Sequence, residues 1–308
     1  MTEVLRYTAF TTDPDGGNPA GVVLDAGGLT DDEMLRIAAE VGYSETAFLR
    51  PADPAARRYR LRYFSPLAEV AYCGHATVAT AIALAERDGP GALVFDTPAG
   101  TVDVRTERRD TMLASTTSVP ARSRPLTGGE LHPLLAALRW TADDLDPGWP
   151  PHVAFAGNEH PVLVVRSRAR LAELDYDVTA LGDLMRQHGW TTAQLAWVED
   201  EHTVHARDPF PVGGVVEDPA TGAAAAAFGG YLRALGRVRA PRRISIRQGE
   251  DMGRPSELLV DVRPDDPRIT VTGGAVPLTV ALPEACTGPA RSRDFVAQVD
   301  CGRASRSW

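Results

Sequence analysis

Short apolar runs bounded by turn-forming residues dominate the chain, and they predict strands. LRYTAF, the turn TTDPDGGNP and AGVVL read as strand, turn, strand. Helical spacing appears in LTDDEMLRIAAEVG. There Met34, Ile37, Ala38 and Val41 form an apolar stripe, Thr30 and Glu33 a capping box, and Gly42 a stop. SETAFLR and RRYRLRYF predict strands about the turn PADPAA, and ALVFDTPAGTVDVR a hairpin turning at Pro98-Ala99-Gly100. The second half repeats the grammar, with HVAFAGNEHPVLVV as a hairpin, DVTALGDLMRQHG as a helix, and AQLAWVED and HTVHARDPF as strands. ISIRQGE, ELLVDVR and RITVTGGAVPLTVAL predict closing antiparallel strands.

One device occurs in both halves. Phe64 leads to Glu69, then Gly74-His75 and a small-residue helix, with Leu84 ten residues after Gly74. Phe210 leads to Glu217-Asp218, then Thr221-Gly222-Ala223 and GAAAAAFGG, with Leu232 ten residues after Gly222. Strand-rich halves that each carry one such helix predict an α+β fold of two pseudo-symmetric lobes facing a cleft, each an antiparallel sheet curved around its helix. The polar stretch from Arg105 to about Pro125 lacks periodicity and is expected to hold the joint. This divides the chain into lobes 1–115 and 116–287 and a polar tail, 288–308.

Composition narrows the chemistry. The 308 residues contain no lysine, all 32 basic residues being arginine, against 41 acidic ones. A Schiff-base lysine and a Walker A loop are thereby excluded. The net charge of −9 argues against nucleic-acid binding. No run of 18 apolar residues and no signal-peptide pattern occurs, so neither membrane insertion nor secretion is expected. Cys73, Cys286 and Cys301 show no CxxC spacing, which fits a cytoplasmic protein without a disulfide framework or zinc site. His202 and His205 lie on a predicted strand and read as a solvated edge rather than metal ligands.

A glycine opening a small-residue helix leaves first-turn N–H groups free for an anion. Packing alone explains the alanines, but not Glu217-Asp218-Pro219 directly before the second helix start. Taken singly, Glu45 also reads as a solvated strand residue, His75 as a helix cap and Asp218 as a turn former.

GGNPAGVVLD at 16–25, YSETAF at 43–48, CGHAT at 73–77, EDPATGAA at 217–224 and QGEDMGRPS at 248–256 together resemble the PhzF family, named for the isomerase of phenazine biosynthesis. The resemblance spans about residues 5–283 and implies the diaminopimelate-epimerase fold and, commonly, a homodimer. It implies Glu45 as general acid/base and His75 and Asp218 as its catalytic partners. The Gly222 and Ala223 amides would receive the substrate carboxylate. Asn18, Ser44 and Gly74 complete the expected substrate-binding set, although Asn18 could equally brace the Gly16-Gly17 turn. A base of this kind works near neutral pH when an apolar enclosure lifts its pKa, as expected for Glu45.

Two departures bear on substrate and class. Ala223 stands where the family often has serine, which keeps the amide but loses a hydroxyl. Cys73 occupies the place of one catalytic thiol of related epimerases and proline racemases, but Ala220 occupies the other, so Cys73 reads as a buried small hydrophobe. The resemblance implies a cofactor- and metal-independent isomerase that shifts a proton within a small unsaturated amino or hydroxy acid of specialised metabolism. Phenazine-precursor and alkylproline or pyrroline acids are both candidate substrates. A non-catalytic acid-binding protein and an epimerase or racemase are the competing readings.

Overall fold

The computed structural model describes residues 2–279, so the expected tail 288–308, Cys286 and Cys301 lie outside the described residues. The first half runs β1 (Leu5–Ala9), β2 (Asn18–Val23), α1 (Asp31–Val41), β3 (Glu45–Asp53), β4 (Arg58–Phe64), β5 (Glu69–Val70), α2 (Gly74–Asp88), β6 (Gly91–Thr97), β7 (Gly100–Arg108) and β8 (Met112–Thr117). The second runs β9 (Arg122–Pro125), α3 (Gly128–Ala137), β10 (His152–Phe155), β11 (Glu159–Val164), α4 (Arg168–Ala172), α5 (Val178–His188), β12 (Gln194–Val198), β13 (Thr203–Pro209), β14 (Glu217–Asp218), α6 (Gly222–Ala234), β15 (Arg242–Gln248), β16 (Ser256–Val262) and β17 (Thr270–Pro277).

The fold is α+β, but the sheet is mixed, which corrects the expectation of antiparallel sheets. β2 and β3 pair in parallel across α1, and β4 and β6 across α2. β11 and β12 do so across α4 and α5, and β13 and β15 across α6. A helical crossover returns the chain in the same direction, whereas a tight turn reverses it. An apolar run alone carries no mark of that direction. The remaining pairings are antiparallel, and β17 lies against β16 and against β1 and β8, tying the last described strand to the first half. The stretch expected to be irregular, 105–125, is largely strand: the end of β7, then β8 and β9.

Local signals hold well. Thr30 and Glu33 form the capping box of α1, and Gly42 ends it in the left-handed conformation with φ 74°. Thr127 and Glu130 build a similar box on α3, a helix that Gly128, Gly129 and Pro133 conceal in the sequence.

The main core surrounds α2 and α6. Every residue from His75 to Ala85 of α2 is buried, as is every residue from Ala224 to Leu232 of α6. A helix enclosed on all sides needs small residues so that the strands can approach, and its buried hydroxyls need partners. Thr77 donates to the Cys73 carbonyl at 2.6 Å and meets the Tyr63 hydroxyl at 2.6 Å, while Thr80 donates to Ala76 at 2.7 Å. A second core joins α3 and α5 to β11 and β12, and a third lies under α1. His205 is not a solvated edge residue. It is buried, with Nδ1 2.7 Å from Glu250 and Nε2 3.0 Å from Glu199.

Candidate active site

Both central helices begin without a side-chain cap. Their first intrahelical bonds are made by the amides of Thr77 and Ala225, so those of Gly74, His75, Gly222 and Ala223 stay free of the helix ladder. The two starts meet: a methyl group on Gly74 would lie 3.9 Å from the Gly222 Cα. Phe10, at φ 63°, packs behind Gly222, and Gly273 leaves room for its ring, where a Cβ would come within 2.3 Å.

Around these helix starts the structure gathers Ser44, Glu45, Cys73, Gly74, His75, Asp218, Thr221, Gly222 and Ala223 on one cavity of about 100 Å³. Tyr72, Gly74, Asn158, Gly222 and Ala223 also border a second, more apolar chamber of about 280 Å³. Glu45 opens β3, and its Oε2 lies 3.4 Å from His75 Nε2 and 3.6 Å from the Cys73 thiol. Cys73 Sγ is also 3.4 Å from His75 Nδ1, and the Ser44 hydroxyl is 3.4 Å from His75 Nε2. Cys73 is buried as expected, but it belongs to this polar cluster rather than to apolar packing alone. Burial first, and the Glu45 charge next, push its thiol well up, which keeps it protonated. Glu45, Cys73 and His75 place three donor atoms within 4.8 Å of one another, the one such group among the described residues. A cation there would have to displace the thiol proton that burial holds in place.

Enclosure lifts the carboxyl of Asp218. Glu45 keeps 16% of its side chain exposed, whereas burial raises Asp218 to about 6 despite nearby His75. Asp218 is held from three sides. Asn18 Nδ2 donates to Oδ1 at 2.7 Å, Thr221 donates to Oδ2 at 2.5 Å, and the Gln248 amide donates to its backbone carbonyl at 2.7 Å. Asn18 therefore does not brace the Gly16-Gly17 turn. Arg254 does, donating to the Gly16 and Gly17 carbonyls at 2.6 and 2.8 Å. Asn18, 2% exposed, faces Asp218 rather than the cavity.

The raised Asp218 pKa has a consequence for stability. Between about pH 4 and 6 the folded state keeps a proton that the unfolded state releases, so stability falls as pH rises through that window. Asp218→Asn removes the effect. Its advantage over the parent in thermal unfolding should grow from pH 4 to 6, towards roughly 3 kcal/mol at most, and then level off. An advantage independent of pH would remove Asp218 as the source.

Gln248, Thr221, His160 and Thr192 also border or brace the site and were not singled out from sequence. Gln248 opens the quoted QGEDMGRPS motif, and His160 lies in GNEHPV at a hairpin turn, which are the signals that mark them.

A family model described as phenazine biosynthesis-like protein, PhzC-PhzF, matches residues 7–281. The uncharacterized isomerase YfhB of Bacillus subtilis is 32% identical, covering 89% of this chain and 96% of its own. The trans-2,3-dihydro-3-hydroxyanthranilate isomerase of Pseudomonas chlororaphis is 32% identical, covering 90% of this chain and 97% of its own. The crystal structure of a PhzF-family phenazine biosynthesis protein of Bacillus anthracis superposes with a TM-score of 0.80 at 27% identity, covering 90% of this chain and 98% of that one. The chain is an isomerase and belongs to the phenazine biosynthesis-like PhzC-PhzF family.

Proposed function

We propose that this isomerase is cofactor-independent and moves a proton, and with it a double bond, within a small unsaturated amino or hydroxy acid. The observation that carries the reading is the convergence of Glu45, His75 and Asp218 on one cavity beside two uncapped helix starts. The free amides of Gly222 and Ala223 hold the substrate carboxylate, aided by Gly74 and the helix dipole. Glu45 removes a proton at one carbon and returns it at another, and His75 and Asp218 hydrogen-bond the reacting groups. The reaction is redox-neutral, so a positioned proton carrier and an anion site suffice. Ser44 orients His75, and Asn18 orients Asp218. Ala223 leaves the site without a hydroxyl there, which favours a substrate differing from that of the Pseudomonas relative. A phenazine precursor and an alkylproline or pyrroline acid of antibiotic biosynthesis remain the two substrates to test.

In the same reading the chain forms two pseudo-symmetric lobes, 1–115 and 116–287, and works as a cytoplasmic homodimer. The recurring order of parallel and antiparallel pairs, each with a two-residue strand ahead of its central helix, supports the lobes.

The test is incubation with trans-2,3-dihydro-3-hydroxyanthranilate and with an unsaturated pyrroline carboxylic acid in D2O, followed by NMR. A shifted double bond is the expected result, with deuterium at the new carbon because the proton held on Glu45 exchanges with solvent before its return. Binding without exchange identifies an acid-binding protein, and inversion at one stereocentre identifies an epimerase.

A further inference from the structure

A second polar chain borders the same cavity and has no part in the chemistry above. His160 on β11 is fully buried, and its Nδ1 lies 2.9 Å from the Thr192 hydroxyl. Thr192 donates in turn to Asp208 Oδ1 at 2.8 Å. Asp208 is fully buried on β13, directly opposite Asp218 in the β13–β14 pairing. The buried Gln194 amide group lies 3.1 Å from Asp208 Oδ2. Burial pushes the Asp208 carboxyl well up, and its proton is placed on Oδ2 beside the Gln194 amide, so Oδ1 accepts the single hydrogen of the Thr192 hydroxyl. In that arrangement His160 carries its hydrogen on Nδ1 and donates it to Thr192. Burial lowers the ring to about 4, so it is neutral at physiological pH. Nε2 is left as a bare acceptor, without a partner among the described residues, on a side chain that lines the cavity of Glu45, His75 and Asp218.

An unpartnered acceptor this deep is costly unless something occupies it. We propose that His160 Nε2 accepts a hydrogen bond from a hydroxyl or amino group of the substrate, which makes His160 a specificity-determining residue and the substrate a carboxylic acid bearing such a donor. The proposal rests on the carboxylate-binding reading of this cavity. Asp208 and Thr192 act as positioning residues, since they set which ring nitrogen faces the ligand.

Two measurements test it. Long-range proton–nitrogen NMR of the full chain labelled in histidine, with His160 assigned by its loss in His160→Phe, should show the neutral Nδ1-protonated ring between pH 6 and 8. The opposite tautomer overturns the proposal. Calorimetry then compares benzoate, 3-hydroxybenzoate, anthranilate and 3-hydroxyanthranilate. The parent should prefer donor-bearing acids to benzoate by roughly three- to tenfold. His160→Phe should erase that preference and leave benzoate unchanged, while His160→Gln, whose amide oxygen reaches a similar place, should keep part of it. The hydroxy and amino arms identify the donor. Equal binding of all four acids by the parent, or a preference that survives in folded His160→Phe, overturns the proposal and leaves the carboxylate site standing. Failure of all four acids to bind overturns the functional reading as well.

Discussion

Glu45→Gln is expected to lower turnover by about 10²–10⁴-fold while changing substrate affinity much less. Glutamine matches the size of Glu45 and can still face His75, whose Nε2 lies 3.4 Å from the carboxylate. It cannot take up and return a proton. The carboxylate of the substrate is assigned to the helix-end amides, which the substitution leaves in place. Steady-state kinetics on the substrate identified by deuterium exchange separate kcat from KM. Cys73→Ala is the necessary contrast, because its thiol sits 3.6 Å from the same Glu45 oxygen. A thiol that burial keeps protonated is a poor base, so Cys73→Ala should retain activity within about tenfold, well short of a lost acid–base group. An inactive Cys73→Ala beside an active Glu45→Gln would place the protein among thiol-based epimerases. It would end the glutamate mechanism.

What the sequence disclosed divides along the range of the interactions. The α1 capping box, the Gly42 stop and the turn after Thr97 depend on neighbours in the chain, and each could be read directly. Glu45, His75 and Asp218 were legible because each stands in a motif of several residues. The parallel crossovers were not, since strand direction is settled by where α1, α2, α5 and α6 pack. Asn18 shows the same limit at one residue. Its neighbours suggested a turn brace, but Arg254, 236 positions away, takes that task and leaves Asn18 to Asp218. The enclosure that lifts Asp218 is likewise a property of the assembled cleft. His160, Thr192 and Asp208 lie on or beside three strand segments of ordinary pattern, and only β11 pairing with β12 and β12 with β13 brings them together.

The position of Asp218 depends on a buried ion pair one residue away, and breaking that pair should unfold the protein more than any other single surface or site change named above. Arg207 on β13 grips Glu217 with both forks of its guanidinium, Nε to Oε1 at 3.0 Å and Nη2 to Oε2 at 2.6 Å, and Nη1 donates to the Ala172 carbonyl at 2.8 Å. Arg207 is 9% exposed and Glu217 7%, so neither charge has water as an alternative partner. Arg207→Met fills most of the volume but leaves the Glu217 carboxylate buried and unpaired, at an expected cost of about 3–5 kcal/mol. For a chain of this size that is a drop of roughly 5–8 °C in the thermal midpoint. Activity below the midpoint should fall too, since β14 is only Glu217–Asp218 and the pair fastens it to β13. Arg207→Met combined with Glu217→Leu removes both charges and should recover most of the stability, because the loss comes from the orphaned carboxylate rather than from the pair's net worth. Activity should return less completely, since Asp218 has lost its anchor. If the double variant is as unstable as Arg207→Met alone, packing around the arginine stem and not the buried charge holds β14 in place.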